Sequence, residues 1–281
     1  MRYPINEHDK ELKSVQRTFF DNDKGKTLDE PGIESITGDF LLPNKYKWYP
    51  SDTETHFKSL SAEHRAKWKD VEFDYFLNEF GMRTQHSMNE DRNSICFIGC
   101  SMTFGVGMPK ENTWTHLLAK KLGLNDINMG NPGGSLDSMY RLYSYWLPEL
   151  KSKITVCVIP PRPRKERIEQ DRNGRLHIYK LSNWNVQNET NEHKKAAMLQ
   201  SFNEHEMFVN ERRNLNAIKT VARENDSTLV IVDQKELNYH KLVTLNDDYA
   251  RDGIHPGYTW HNATANEIER RLASDELVGI W

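Results

Sequence analysis

The stretch that decides the fold is SICFIGCSMTFGVGM, residues 94–108. An apolar run, Ile95 to Ile98, ends at Gly99 and is followed by Ser101. A continuous apolar run bounded by glycine is typical of a strand buried on both faces. A serine directly after such a strand is either a turn residue or a nucleophile held at the strand's carboxyl end. The rest of the chain decides between these two interpretations.

Apolar runs of the same kind recur downstream, at 127–130, 154–159 and 228–233. Segments with the helical spacing of apolar residues separate them, and these helices are predicted at 113–122, 135–150, 201–225 and 259–272. Alternating strands and helices predict a parallel sheet with helices on both faces. Ligand sites in such sheets lie at the carboxyl ends of the strands, which is where Ser101 falls.

Two regions interrupt this alternation. Residues 1–90 are rich in charged and aromatic residues and are predicted to form an N-terminal extension, with the main domain at 91–281. Within the extension, residues 61–80 are compatible with a helix that begins after Ser61, and residues 73–83 are equally compatible with a strand followed by a turn at 78–81. Further along, Asn173-Gly174 predicts a hairpin, which we interpret as an insertion over the top edge of the sheet.

Composition excludes several classes of protein. A net charge of -3 gives no reason to expect nucleic acid as a partner. No apolar run approaches the roughly 20 residues that span a bilayer, and the first residues lack the apolar core of a signal peptide. These features predict a cytoplasmic protein, and a virus-encoded protein would share them. The 3 cysteines form no disulfide framework, and the histidines lack metal-ligand spacing, so neither a metal nor a cofactor is expected.

Three known loop motifs fail at the serine stretch. A phosphate-binding loop requires a lysine after its second glycine, and no lysine follows Gly105. The dinucleotide fingerprint fails because Gly105 and Gly107 are not followed by a third glycine in register. The nucleophile elbow G-x-S-x-G fails because Thr103 stands at its last position.

A nucleophilic serine needs a general base and a group that orients the base. Asp252 and His255 lie three residues apart in RDGIHPG, close enough for the carboxylate to reach Nδ1 of the imidazole. The other ring nitrogen is then available to accept the serine proton. The loop NMGNPGGS, residues 128–135, supplies glycines after the second strand, and backbone N–H groups there can approach a substrate oxyanion closely.

Together these residues resemble the SGNH (GDSL-type) hydrolase superfamily over about residues 92–276. The first block, G-D-S-x-[ST]-x-G, corresponds to Gly99–Gly105, the second to Asn128–Gly133, and the D-x-x-H block to Asp252–His255. The segment Asn78–Arg83 also resembles an N-x-x-G-[FM]-R lead-in of some acyl-glycan members. The resemblance implies a flavodoxin-like three-layer α/β/α sandwich.

The resemblance also implies roles for individual residues. Ser101 would be the nucleophile, His255 the base and Asp252 its orienting group, while the N–H groups of Ser101 and Gly133 would form part of the oxyanion hole. The implied activity is that of a serine esterase acting on a small acyl ester or an acylated carbohydrate, for instance an O-acetyl sugar, without a cofactor or a membrane partner. Acyl transfer onto a glycan would need the same triad.

The sequence departs from the family at two places. Cys100 replaces the aspartate of the first block, and we interpret it as a small packing residue rather than a nucleophile. The third block, G-x-N-D, is absent, and PPRPRKE stands after the third strand. Either Arg162 or Arg164 would have to replace the missing asparagine as an oxyanion donor. The alternative is a non-catalytic protein of this fold that binds glycans or other proteins through its aromatic N-terminal segment.

Overall fold

A computed structural model describes residues 44–49, 51–78, 80–170, 176–182, 202–237 and 248–274, with a few isolated residues between 186 and 199. The central sheet contains four parallel strands, in the order β4-β3-β5-β8. Their bounds are Ser94–Ile98 for β3, Asn125–Asn128 for β4, Ile154–Ile159 for β5 and Thr228–Asp233 for β8. The predicted parallel sheet is therefore confirmed.

Helices cover both faces of this sheet, so the domain is the expected three-layer α/β/α sandwich. The two long helices α5 (Leu136–Leu150) and α6 (Glu204–Glu224) cover one face, and α4 (Trp114–Leu122) and α7 (Tyr258–Ala273) cover the other. Strand β3 shows why its apolar run is continuous. Cys96 and Ile98 pack under α5 and α6, whereas Ile95 and Phe97 pack under α4 and α7.

The helix ends follow the signals in the sequence. Helices α4, α5 and α6 each begin after a residue whose side chain accepts a hydrogen bond from the first turn, namely Thr113, Ser135 and Asn203. Gly123 ends α4 in the left-handed conformation. These predicted helices are confirmed to within a few residues, as is α7. None of the described helices is long and apolar enough to span a bilayer.

The second strand of the sheet differs from the prediction. It was expected at 127–130, but β4 begins and ends two residues earlier, and Met129 and Gly130 belong to the following loop. The start of β4 was missed because its first two residues, Asn125 and Asp126, are polar. Asp126 is nevertheless buried, and its carboxylate lies 3.1 Å from Lys110 Nζ and 3.0 Å from His86 Nε2.

The described part of the N-terminal extension contains two short helices and two short strands. Helix α1 spans Glu54–Ser59, and α2 spans Ala62–Trp68 after the predicted cap Ser61. A helix reaching residue 80 is wrong, because Tyr75–Leu77 forms strand β2, paired with β1 (Asn44–Tyr46), and a turn follows at 78–81. The strand-and-turn alternative is therefore correct for this part.

The predicted insertion contains two antiparallel strands, β6 (Arg164–Gln170) and β7 (Leu176–Ser182). Asn173 and Gly174, which predicted the hairpin, lie outside the described residues. Glu166 ties the hairpin to α5 through two hydrogen bonds with Arg141, of 2.7 and 2.8 Å. The hairpin also reaches the loop after β4, through the contacts of Lys180 described below.

Candidate active site

The first component of the site is the turn that follows β3. Ser101 is the first residue of a short helix, α3 (Ser101–Phe104), which ends at Gly105 with φ 80°. Gly99 permits this tight turn, because a Cβ at residue 99 would lie 2.0 Å from Thr103 Oγ1. Ser101 is only 9% exposed, and its hydroxyl has no hydrogen-bond partner among the described residues. The strand thus presents a serine at its carboxyl end, as predicted.

The second component is the loop that precedes α7. Oδ2 of Asp252 lies 2.5 Å from His255 Nδ1, and Oδ1 accepts hydrogen bonds from the backbone N–H groups of Ile254 and His255. Asp252 is fully buried, so its carboxylate is held in one orientation. With the Nδ1 proton donated to this carboxylate, His255 Nε2 is the basic nitrogen, and it has no partner in the described part of the chain.

These two components lie against each other. Arg251 N donates to Gly107 O at 3.0 Å, and a Cβ at Gly107 would lie 2.7 Å from Ala250 Cβ. The loop with Asp252 and His255 therefore packs on the turn that follows α3. Ser101 Oγ and His255 Nε2 are not hydrogen bonded to each other within the described residues. In ligand-free enzymes, such catalytic hydrogen bonds often form only when substrate is bound.

The third component is the loop after β4. Asn131 N donates to Gly99 O at 2.9 Å, so the loop lies beside the end of β3. Asn128 links it to α3, since its side chain donates to Thr103 O and accepts from Gly130 N. Gly133 has φ 73°, and its N–H has no acceptor among the described residues. The predicted glycine donor is therefore available for a ligand.

The two arginines after β5 have different surroundings. Arg162 is bound to Glu211 of α6 by hydrogen bonds of 2.7 and 3.2 Å, and its side chain is 45% exposed. It would have to leave Glu211 to act as an oxyanion donor, so that role stays a prediction. Arg164 has a buried Nη1 without a described partner.

Cys100 is buried in the core under α5, which agrees with a packing role. Its Sγ lies 3.5 Å from Oε1 of Gln234, and the amide nitrogen of Gln234 contacts Met102. Gln234 directly follows β8, so its amide lies at the carboxyl edge of the sheet. There it contacts Cys100 and Met102, the residues on either side of Ser101. The sequence analysis missed Gln234, because no motif marks it.

The N-terminal segment contacts the turn that carries Ser101 through Arg83. Arg83 is fully buried and donates hydrogen bonds to the carbonyls of Phe104, the last residue of α3, and of Gly105 and Met108 in the turn after it. Burial lowers the pKa of Arg83 to about 10, so it remains charged at neutral pH. The last residue of the N-x-x-G-[FM]-R segment thus binds one carbonyl at the end of α3 and two in the turn that follows.

The same segment also fixes the histidine loop. Nε2 of His56 lies 2.9 Å from Asp252 O, and Nε2 of His64 lies 3.2 Å from Arg251 O. The Arg251 guanidinium is buried against Asp52, with a shortest distance of 2.6 Å, and packs on the rings of Trp48 and Phe73. Residues 44–83 therefore contact the candidate site directly, although the predicted division at residue 90 stays a prediction.

The buried Asp52–Arg251 pair leads to a stability prediction. Asp52→Asn leaves the Arg251 charge without a counter-charge in an aromatic environment, and we expect the free energy of unfolding to fall by about 3–5 kcal/mol. Glu54→Gln is the matched control, because Glu54 pairs with Lys58 at 2.8 Å on an exposed surface. That change should cost less than about 1 kcal/mol. Urea denaturation measures both, and equal losses in the two variants would contradict the prediction.

No protein-family profile and no curated protein matches the chain. Among solved structures, the chain is similar to a protein described as a lipolytic protein of the G-D-S-L family from Desulfitobacterium hafniense DCB-2. The two sequences are 14% identical, and the match covers 63% of this chain and 98% of that chain, with a TM-score of 0.35. TesA is 13% identical, and the match covers 64% of this chain and 97% of that chain, with a TM-score of 0.34. A variant of Axe2, an acetyl xylan esterase from Geobacillus stearothermophilus, is 15% identical, and the match covers 66% of this chain and 97% of that chain, with a TM-score of 0.33. Similarities of this size transfer no activity and no residue role to this chain.

Proposed function

We propose that the protein is a serine esterase with Ser101 as nucleophile, His255 as general base and Asp252 as the group that orients the base. The observation that carries the proposal is the 2.5 Å contact between Asp252 Oδ2 and His255 Nδ1, in a loop that is hydrogen bonded to the turn after Ser101. A buried carboxylate on Nδ1 leaves Nε2 as the proton acceptor and stabilises the imidazolium that forms.

The reaction proceeds in two steps. Ser101 Oγ attacks the ester carbonyl while His255 Nε2 takes its proton, and the resulting oxyanion receives hydrogen bonds from the N–H groups of Ser101 and Gly133. The intermediate collapses, the C–O bond to the alcohol breaks, and His255 returns the proton to the leaving oxygen. Water then attacks the acyl-enzyme with His255 again as base, which releases the acid and regenerates Ser101.

The substrate that we propose is a small acyl ester. A small cleft lies between the loop after β4 and the N-terminal segment, and its lining includes Phe80, Met82, Phe104, Met129, Pro132 and Leu142. Ser101, Gly133 and His255 lie outside its lining, so the proposal rests on the triad and not on this cleft.

Active-site labelling tests the proposal. The wild-type protein is exposed to a fluorophosphonate, and its intact mass and modified peptide are determined. We expect one adduct, on Ser101, whose formation slows strongly in His255→Ala. A folded wild-type sample without an adduct would contradict the proposal and favour the non-catalytic alternative.

A further inference from the structure

Lys180 of the inserted hairpin contacts the loop that carries the candidate oxyanion donor. Its Nζ donates to Asn131 Oδ1 at 2.5 Å and to Pro132 O at 2.7 Å. A Cβ at Gly133 would lie 3.5 Å from Lys180 Cδ, so the lysine stem also packs on the next residue. The lysine therefore lies across the two residues that precede the Gly133 N–H.

These contacts determine the direction of the Gly133 N–H. Pro132 O and Gly133 N–H belong to the same peptide group, and no described peptide bond is cis. In a trans peptide, the oxygen and the hydrogen point in opposite directions. Because Lys180 holds Pro132 O on its own side, the Gly133 N–H points away from Lys180. The loop is also fixed at Asn131, whose backbone N–H donates to Gly99 O at the end of β3.

We propose that Lys180 is a positioning residue for the oxyanion hole, which holds the Pro132–Gly133 peptide plane so that its N–H is presented to the oxyanion formed at Ser101. This inference rests on the proposed esterase function. Lys180 does not touch the substrate. It acts through the peptide, because its hydrogen bond to the Pro132 carbonyl also polarises the peptide and strengthens the N–H as a donor.

The cost of the arrangement supports a specific role. Burial lowers the pKa of Lys180 well below its ordinary value, so the surroundings disfavour the charge, and an apolar side chain would avoid that cost. The residue opposite Lys180 in the hairpin is Glu166, which contacts α5. Glu166 binds Arg141 by two hydrogen bonds, and its backbone N–H donates to Asp137 at 3.1 Å.

Lys180→Met tests the inference, because it retains the length of the stem and removes the donors. We expect kcat for p-nitrophenyl acetate to fall by about 10- to 100-fold with KM within about threefold of wild type, since an oxyanion donor acts in the transition state. The affinity for a trifluoromethyl ketone, which forms an oxyanion on the serine, should fall in parallel. The affinity for the matching methyl ketone should not change.

Lys165→Met is the matched control on the neighbouring strand. Lys165 pairs with Glu206, whose side chain is 60% exposed, and its removal should leave kcat unchanged. If Lys180→Met fails to fold, as judged by circular dichroism and melting temperature, the same criteria apply to Lys180→Leu, which also removes the donors. A kcat within twofold of wild type, or an effect on KM alone, would overturn the positioning role.

Failure of the esterase proposal is distinguishable from failure of this inference. A wild-type protein without a fluorophosphonate adduct on Ser101 would contradict the esterase itself. A labelled and active wild type, combined with an unaffected Lys180 variant, would contradict only the role of Lys180.

Discussion

Ser101→Ala should abolish ester hydrolysis, with kcat falling by about 10⁶-fold or to the uncatalysed background. The alanine variant has no hydroxyl for the acyl group, so the two-step route is lost. The remaining N–H groups of the oxyanion hole accelerate attack by water only weakly. Steady-state hydrolysis of p-nitrophenyl acetate measures the loss, and a melting curve shows whether the fold is unchanged.

Cys100→Ala provides the matched control for this prediction. Cys100 is the neighbouring residue and the only thiol of the first block, but it is buried at 1% exposure. We expect the cysteine variant to keep its activity within a few-fold of wild type. Loss of activity in Cys100→Ala with retention in Ser101→Ala would assign the nucleophile to the thiol and contradict the proposed mechanism.

Asp252→Asn should lower kcat by about 10⁴-fold with little effect on substrate binding. The asparagine Oδ1 can still accept from the backbone N–H groups of Ile254 and His255, so the loop keeps its geometry. Its amide nitrogen, however, is a hydrogen-bond donor and lies opposite His255 Nδ1. The imidazole must then accept at Nδ1 and carry its proton on Nε2, which leaves no base for Ser101.

Proton NMR provides an independent readout for Asp252→Asn. The wild-type protein should show a strongly downfield resonance from the His255 Nδ1 proton in its 2.5 Å contact with Asp252, and the variant should lack it. A variant that retains more than a tenth of the wild-type kcat would show that the aspartate does not set the tautomer.

Much of the fold could be predicted from local patterns. The strands Ile154–Ile159 and Thr228–Asp233 match the predicted runs residue for residue, because each contains four consecutive apolar residues, at 156–159 and 229–232, as is typical of a strand between two layers of helices. Thr113, Ser135 and Gly123 marked helix ends through hydrogen bonds or backbone angles that involve only neighbouring residues. The prediction was wrong at β4, where a buried aspartate satisfied by distant partners resembled a surface residue.

In the candidate site, too, some residues were predicted from local patterns and others were not. Asp252 and His255 were predicted as a pair because they are three residues apart and interact within one loop. Gly133 was named because the family resemblance implies a backbone donor in the glycine-containing loop after β4. Arg83 had a weak signal in the segment that resembles a family lead-in, whereas Gln234 and Lys180 had none. Arg162 was named because it follows the third strand, but its binding to Glu211 depends on how α6 packs.

The sequence by itself predicted the sheet and its helices and named Ser101, Asp252 and His255 as candidates, because periodicity, short motifs and the three-residue spacing of Asp252 and His255 are local features of the chain. The tertiary structure decided what surrounds these residues. Lys180 meets Pro132 across 48 residues, and Arg251 meets Asp52 across 199. Contacts at such separations have no local pattern, since they arise only when packing of the apolar core brings distant segments together and a buried charge must find its partner there.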